Sequence, residues 1–158
     1  MRLCPDADVV VSGVGMAETA ATIVRLASER KLGEGDMVVL CGIAGAYGRD
    51  AQLGEVVEVV EECCVELPER FRCRYDNAPQ TTLRGVRSNT VHRGGVSAEG
   101  AEIENMEGAA LFAVAENMAF KVAEIRALSN YVGDNFAQWC VEEATDNLAR
   151  ALKTQFNI

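Results

Sequence analysis

Two short apolar runs, Asp8-Val-Val-Val-Ser12 and Met37-Val-Val-Leu-Cys41, each lead into a glycine-containing segment. Continuous apolar runs of this length predict strands buried on both faces of a parallel sheet, each ending at a functional rim. Between them Ala17, Ala20, Ala21, Val24 and Ala27 recur at helical spacing, and Gly33 and Gly35 mark the return, which together predict a βαβ unit. From Gly54 to Leu67 valines interleave with Glu55, Glu58, Glu61 and Glu62, the pattern of a long strand with one wet face. Pro68 to Gln80 reads as a connection, Thr82 to His92 as a strand, and Gly94-Gly95 as a flexible loop. Glu104 to Met118 reads as a helix whose Met106, Ala109, Ala110, Ala113 and Val114 form a small-residue face suited to close packing. Lys121 to Ser129 reads as a strand. A last helix, capped near Asp134, is expected to bury Phe136, Cys140, Ala144, Leu148, Ala151 and Phe156.

Size and charge narrow the function. A chain of 158 residues predicts one domain, spanning 1–158, that buries about 70% of its unfolded surface. A net charge of -9 and a pI near 4.7 argue against nucleic acid as a partner. The apolar runs are far too short to span a bilayer, and the acidic, proline-containing start from Met1 to Asp8 lacks the basic and apolar regions of a signal peptide. A cytoplasmic protein is therefore expected. The six cysteines include no CxxC pair, and His92 is the one histidine, so reduced and mostly buried thiols are expected rather than a metal site, with Cys63 and Cys64 on opposite faces of a strand.

The candidate chemistry begins at the rim. Ser12-Gly13-Val14-Gly15-Met16 has the look of a dinucleotide loop, but the third glycine of that pattern is replaced by Glu18, a carboxylate where a pyrophosphate would sit. The second segment, Gly42-Ile43-Ala44-Gly45-Ala46, also follows a strand and is read as a turn. Two such turns side by side at the carboxyl edge of a sheet would form the usual ligand crevice of open α/β folds.

Four segments in order, Gly13-Val14-Gly15, Gly42-Ile43-Ala44-Gly45, Asn105-Met106-Glu107-Gly108-Ala109-Ala110 and Ile125-Arg126-Ala127-Leu128-Ser129-Asn130, resemble the signatures of the purine nucleoside phosphorylase and nucleosidase superfamily. Ser129-Asn130-Tyr131-Val132-Gly133 followed by Trp139 resembles in particular the futalosine hydrolases, the menaquinone-pathway family that releases hypoxanthine. The resemblance runs from about residue 8 to the C-terminus and is thin between residues 67 and 100. It implies a three-layer αβα sandwich with a mixed, partly closed sheet, a purine nucleoside as substrate, no cofactor or metal, and a homodimer. Substrate contacts are implied for Gly15, Ile43, Ala44, Gly45, Asn105, Met106, Glu107 and Asn130.

Cleaving an N-ribosyl bond makes the sugar cationic and the departing purine anionic, so an anionic sugar clamp and a purine-side hydrogen-bonding group are needed. The resemblance assigns the first role to Glu107, with Met106 on the sugar face, and the second to Asn130. Relatives that release adenine carry an aspartate at the latter position. An amide cannot be the general acid, but it offers a donor and an acceptor, which suits a 6-oxopurine edge. Arg126 is expected to form a structural ion pair with Glu104 or Glu124, and His92 is expected to be structural.

Against the family pattern, the strand carrying the acid that activates water has no counterpart ahead of Asp8, and the region after Val60 is short, so the domain is expected to be incomplete and to leave a neighbouring strand edge exposed. Within hydrolysis the alternative is a 5'-methylthioadenosine/S-adenosylhomocysteine-type nucleosidase, and two rivals to hydrolysis stand. A phosphorylase would need a cationic pocket, and neither glycine segment has an adjacent arginine or lysine in the sequence. A non-catalytic ligand-binding or assembly protein would keep the fold without turnover.

Overall fold

The structure is a computed structural model that describes residues 8–158 apart from Lys31 and Ala119. The reading of residues 1–7 as no signal peptide, and Cys4 with it, lies outside the described residues.

Three α-helices and six strands make up the described chain: α1 (Met16–Arg30), β1 (Met37–Ala46), β2 (Val56–Cys64), β3 (Arg74–Asp76), β4 (Arg84–Thr90), β5 (Ile103–Asn105), α2 (Gly108–Ala115), β6 (Lys121–Tyr131) and α3 (Val141–Phe156). The sheet order is β3-β2-β4-β5-β1-β6, and β2 pairs β6 as well, so five strands close on themselves with β3 as an appendage. Pairing is mixed: β1 with β6, β2 with β4 and β4 with β5 are parallel, whereas β1 with β5, β2 with β3 and β2 with β6 are antiparallel. Closure leaves a sheet with an apolar layer on either side. Ile23 of α1 and Leu111 and Phe112 of α2 pack in one layer, and Ala144, Leu148 and Leu152 of α3 pack against Ala123, Ile125 and Ala127 in the other. Burying a side chain such as Leu111 contributes about 2 kcal/mol. The expected three-layer α/β architecture with a mixed, partly closed sheet is the one observed.

Several local expectations are corrected. Residues 8–12 form no strand, and Val9 and Val11 are exposed. A run of β-formers becomes a strand only when it pairs with another backbone, and residues 8–12 pair with none of the described strands. The expected βαβ unit is therefore replaced by α1 leading into β1, which pairs in parallel with the distant β6. β1 meets β5 only at Gly45 and Ala46, so its edge over residues 37–44 has no strand partner among the described residues.

The second glycine segment is no turn. It lies inside β1, with a register shift between Ala44 and Gly45. Its glycines serve close approach: a Cβ on Gly42 would stand 2.8 Å from Nη1 of Arg126. β2 has no uniformly wet face, because Glu58 and Glu62 are fully buried. Glu58 is satisfied there by the backbone N–H groups of Gln80 and Thr81 and by the Thr81 hydroxyl. The connection over 68–80 contains β3, whose three residues are too few to carry a pattern.

The helix read from Glu104 begins instead at Gly108. Residues 103–105 are drawn into β5 between β4 and β1, and the Asn105 side-chain oxygen accepts from the N–H groups of Glu107 and Gly108, starting α2 there. Likewise α3 begins at Val141, not near Asp134, and Phe136 is 75% exposed. Asp134 instead pairs with Arg49. Of the five described cysteines Cys63 and Cys64 are buried while Cys41 and Cys73 are exposed, so the thiols are not mostly buried.

Candidate functional site

A cavity of about 510 Å³ opens at the rim where β1, β5 and β6 end. Ile43, Ala44, Gly45, Asn105, Met106, Glu107 and Asn130 all line it. Gly15 does not, but its backbone N–H donates to Glu107 Oε1 at 3.0 Å, and Val14 beside it is part of the wall. That bend needs glycine, since φ at Gly15 is +91°. A second hollow, of about 490 Å³, lies along the start of α3 and touches neither glycine segment nor Glu107.

Glu107 stands just ahead of α2, so its carboxylate is placed by the turn that Asn105 caps. Its second oxygen accepts from Arg126 Nη1 at 3.2 Å. Arg126, 3% exposed, also donates from Nε to Glu124 Oε1 at 2.7 Å and from Nη2 to Asn105 Oδ1 at 3.0 Å. The ion pair expected for Arg126 thus forms with Glu124 and not with Glu104, and it extends to Glu107. Asn105 lines the cavity with its amide committed inward, to Glu62, Ser88, Arg126 and the start of α2.

Asn130 is held from both ends. Its Oδ1 accepts from the Ser129 hydroxyl at 2.8 Å and its Nδ2 donates to the Tyr131 carbonyl at 3.1 Å. A carbonyl only accepts, so the amide cannot flip. Glu104, missed as a cavity residue, lies next to it: a Cβ on Gly45 would stand 3.2 Å from Asn130 Nδ2 and 3.6 Å from Glu104 Cγ. The Glu104 carboxylate accepts from the Tyr47 hydroxyl at 3.0 Å and from Gly95 N–H at 2.9 Å. Burial first, with the Glu104 charge in addition, pushes the Tyr47 hydroxyl up, which keeps it a donor at neutral pH. His92 is outside the cavity and contacts Glu66.

Beneath this wall Glu62 and Glu124 are wholly buried. Burial, followed by the charge of Glu124, pushes Glu62 up to about 8, and burial also raises Glu124 against the pull of Arg126. The sequence offered Glu124 only as a partner for Arg126 and read Glu62 as part of a wet face, because the neighbours that bring the two carboxylates together come from other strands.

Solved nucleosidases share this fold. The 5'-methylthioadenosine nucleosidase of Arabidopsis thaliana superposes with a TM-score of 0.75 at 20% identity, covering 96% of this chain and 72% of that one. A futalosine hydrolase mutant of Helicobacter pylori superposes with a TM-score of 0.79 at 13% identity, covering 92% and 78%. Residues 81–158 match the family model described as Phosphorylase superfamily. That match takes in just under half of the chain and the last two of the four segments, Asn105 to Ala110 and Ile125 to Asn130. Among curated proteins, futalosine hydrolase of Thermus thermophilus is 29% identical over 177 residues, covering 90% of this chain and 77% of the relative.

Proposed function

We propose that this protein hydrolyses the N-ribosyl bond of a purine nucleoside, with futalosine as substrate and hypoxanthine as the leaving base. The observation that carries the reading is the Glu107 carboxylate, oriented by Gly15 N–H and Arg126 at one wall of a cavity whose other wall holds Asn130. In this reading Glu107 binds the ribosyl hydroxyls and stabilises the sugar as it becomes cationic, and Met106 packs on the sugar. Gly15, Ile43, Ala44, Gly45 and Asn105 shape the cleft. The locked Asn130 amide pairs with the base, and its fixed orientation lets it distinguish an oxo from an amino group. Water is the acceptor, because no arginine or lysine among the described residues lines the cavity. Arg126, the cation beside Gly42, is already shared among Glu107, Glu124 and Asn105. The same reading makes the protein a cytoplasmic homodimer; among the described residues no helix is long and apolar enough to cross a membrane.

Chromatographic assay of base release from futalosine and from its 6-amino analogue, with and without phosphate, tests the proposal. Phosphate-independent release of hypoxanthine is expected, with the amino compound at least about 10-fold poorer in kcat/KM. Asn130→Asp is expected to shift that ratio toward the amino compound by about 10-fold. Equal rates on both substrates would remove the assigned role of Asn130, and binding without release would favour a non-catalytic protein.

A further inference from the structure

The deepest polar cluster takes no part in the proposed cleavage. Glu62 and Glu124 are fully buried on neighbouring strands, and Glu124 Oε2 has no hydrogen-bond partner. Glu62 Oε2 and Glu124 Oε2 both crowd the space where a Cβ on Gly108 would sit. Two ionised carboxylates so placed would repel, whereas a proton on one lets it donate to the other and supplies the missing partner. Arg126 by itself faces three carboxylates, Glu62, Glu107 and Glu124.

We infer that Glu62 and Glu124 share one proton, and that this proton fixes the Arg126 guanidinium on Glu107. Glu62 donates to Glu124 Oε2 while accepting from Cys63 N–H and Asn105 Nδ2, and Glu124 stays ionised to hold Arg126 Nε. Arg126 in turn reaches Glu107. Loss of the proton adds a second buried anion that draws Arg126 away from Glu107. The charged and titratable groups facing Glu62 are Glu124 and Arg126 from β6, Tyr47 just after β1, Cys63 and Cys64 beside it on β2 and, across the register, Tyr75 on β3, while Glu107 ahead of α2 faces Glu124 and Arg126. β4 and β5 present only Ser88, Thr90 and Asn105. Glu62 and Glu124 are thus positioning residues for the proposed sugar clamp, and the inference rests on that reading only for its effect on turnover.

NMR titration of protein carrying 13C-labelled glutamate carboxyls, with the Arg126 Nε–H signal followed in parallel, tests the proton pair without substrate. One glutamate is expected to titrate several pH units above the rest, with the Arg126 signal moving at the same midpoint and both changes absent from Glu62→Gln. Should Glu62→Gln not fold, Glu124→Gln is expected to lower that midpoint by at least about one unit. The folded chain holds a proton that the unfolded chain, near 4.5, releases, so stability is expected to fall as pH rises from about 4.5 to about 8, and Glu62→Gln to flatten that slope. In turnover, wild-type kcat/KM is expected to decline about 10-fold per pH unit above the midpoint, and the Glu62→Gln curve to stay level. Glutamates that all titrate in the ordinary range, or an Arg126 signal indifferent to pH, would overturn the inference whether or not any nucleoside is cleaved.

Discussion

Replacing Glu107 with alanine is expected to lower kcat/KM for base release by about two to three orders of magnitude, equivalent to about 3–4 kcal/mol at the transition state. The side chain is 14% exposed, so under the proposed function its charge would act with little screening on a sugar that becomes positive. Its orientation is already set by Gly15 N–H and Arg126, which leaves little reorganisation during the reaction. Glu107→Gln keeps the shape and loses the charge, and should recover only a small part of the rate. The fold should survive, because Arg126 keeps Glu124 and Asn105. Steady-state kinetics decides the matter together with a melting curve: a properly folded Glu107→Ala protein within about 10-fold of wild type, a margin of about 1.4 kcal/mol, would mean that this carboxylate does not serve the sugar.

Gly108→Ala is expected to produce the largest loss of stability, about 3 kcal/mol, or a fall in Tm of roughly 10 °C. A Cβ there would meet Oε2 of Glu62 and both oxygens of Glu124. Neither carboxylate can swing aside, being held by Cys63 N–H, Asn105 Nδ2 and Arg126 Nε. The helix cannot retreat either, since Leu111 and Phe112 are buried behind it. Gly33→Ala is the control, having open space around it, and should leave Tm within about 1 °C. Equal melting of the two variants would show that the cluster yields easily.

Elements with a long periodic pattern were legible in the sequence. The alanine-rich spacing of α1 and the apolar runs of β1 and β6 match their observed positions to within a few residues. Short elements were not. Ile103–Asn105 carries too few residues for a period of two to compete with the helical pattern that follows, and only the edges of β4 and β1 make it a strand. Val9–Val11 shows the converse, strand-forming residues that pair with no described strand. The buried glutamates failed for a related reason: interleaved with valines they read as a solvent face, while the donors that make Glu58 and Glu62 tolerable inside come from Gln80, Thr81 and Asn105.

From the chain alone come an α/β reading by hydrophobic period and, through the resemblance that its four segments carry, the layered mixed sheet and the residues gathered around one cavity, because period and local motif are properties of neighbouring residues. Three-dimensional packing decided which glycines bend the backbone and which make room, which partner Arg126 takes, and that Glu104 stands beside Asn130. Those outcomes depend on contacts between residues far apart in the chain, where a hydrogen bond or a buried charge is stabilised only by groups that closure of the sheet brings within reach.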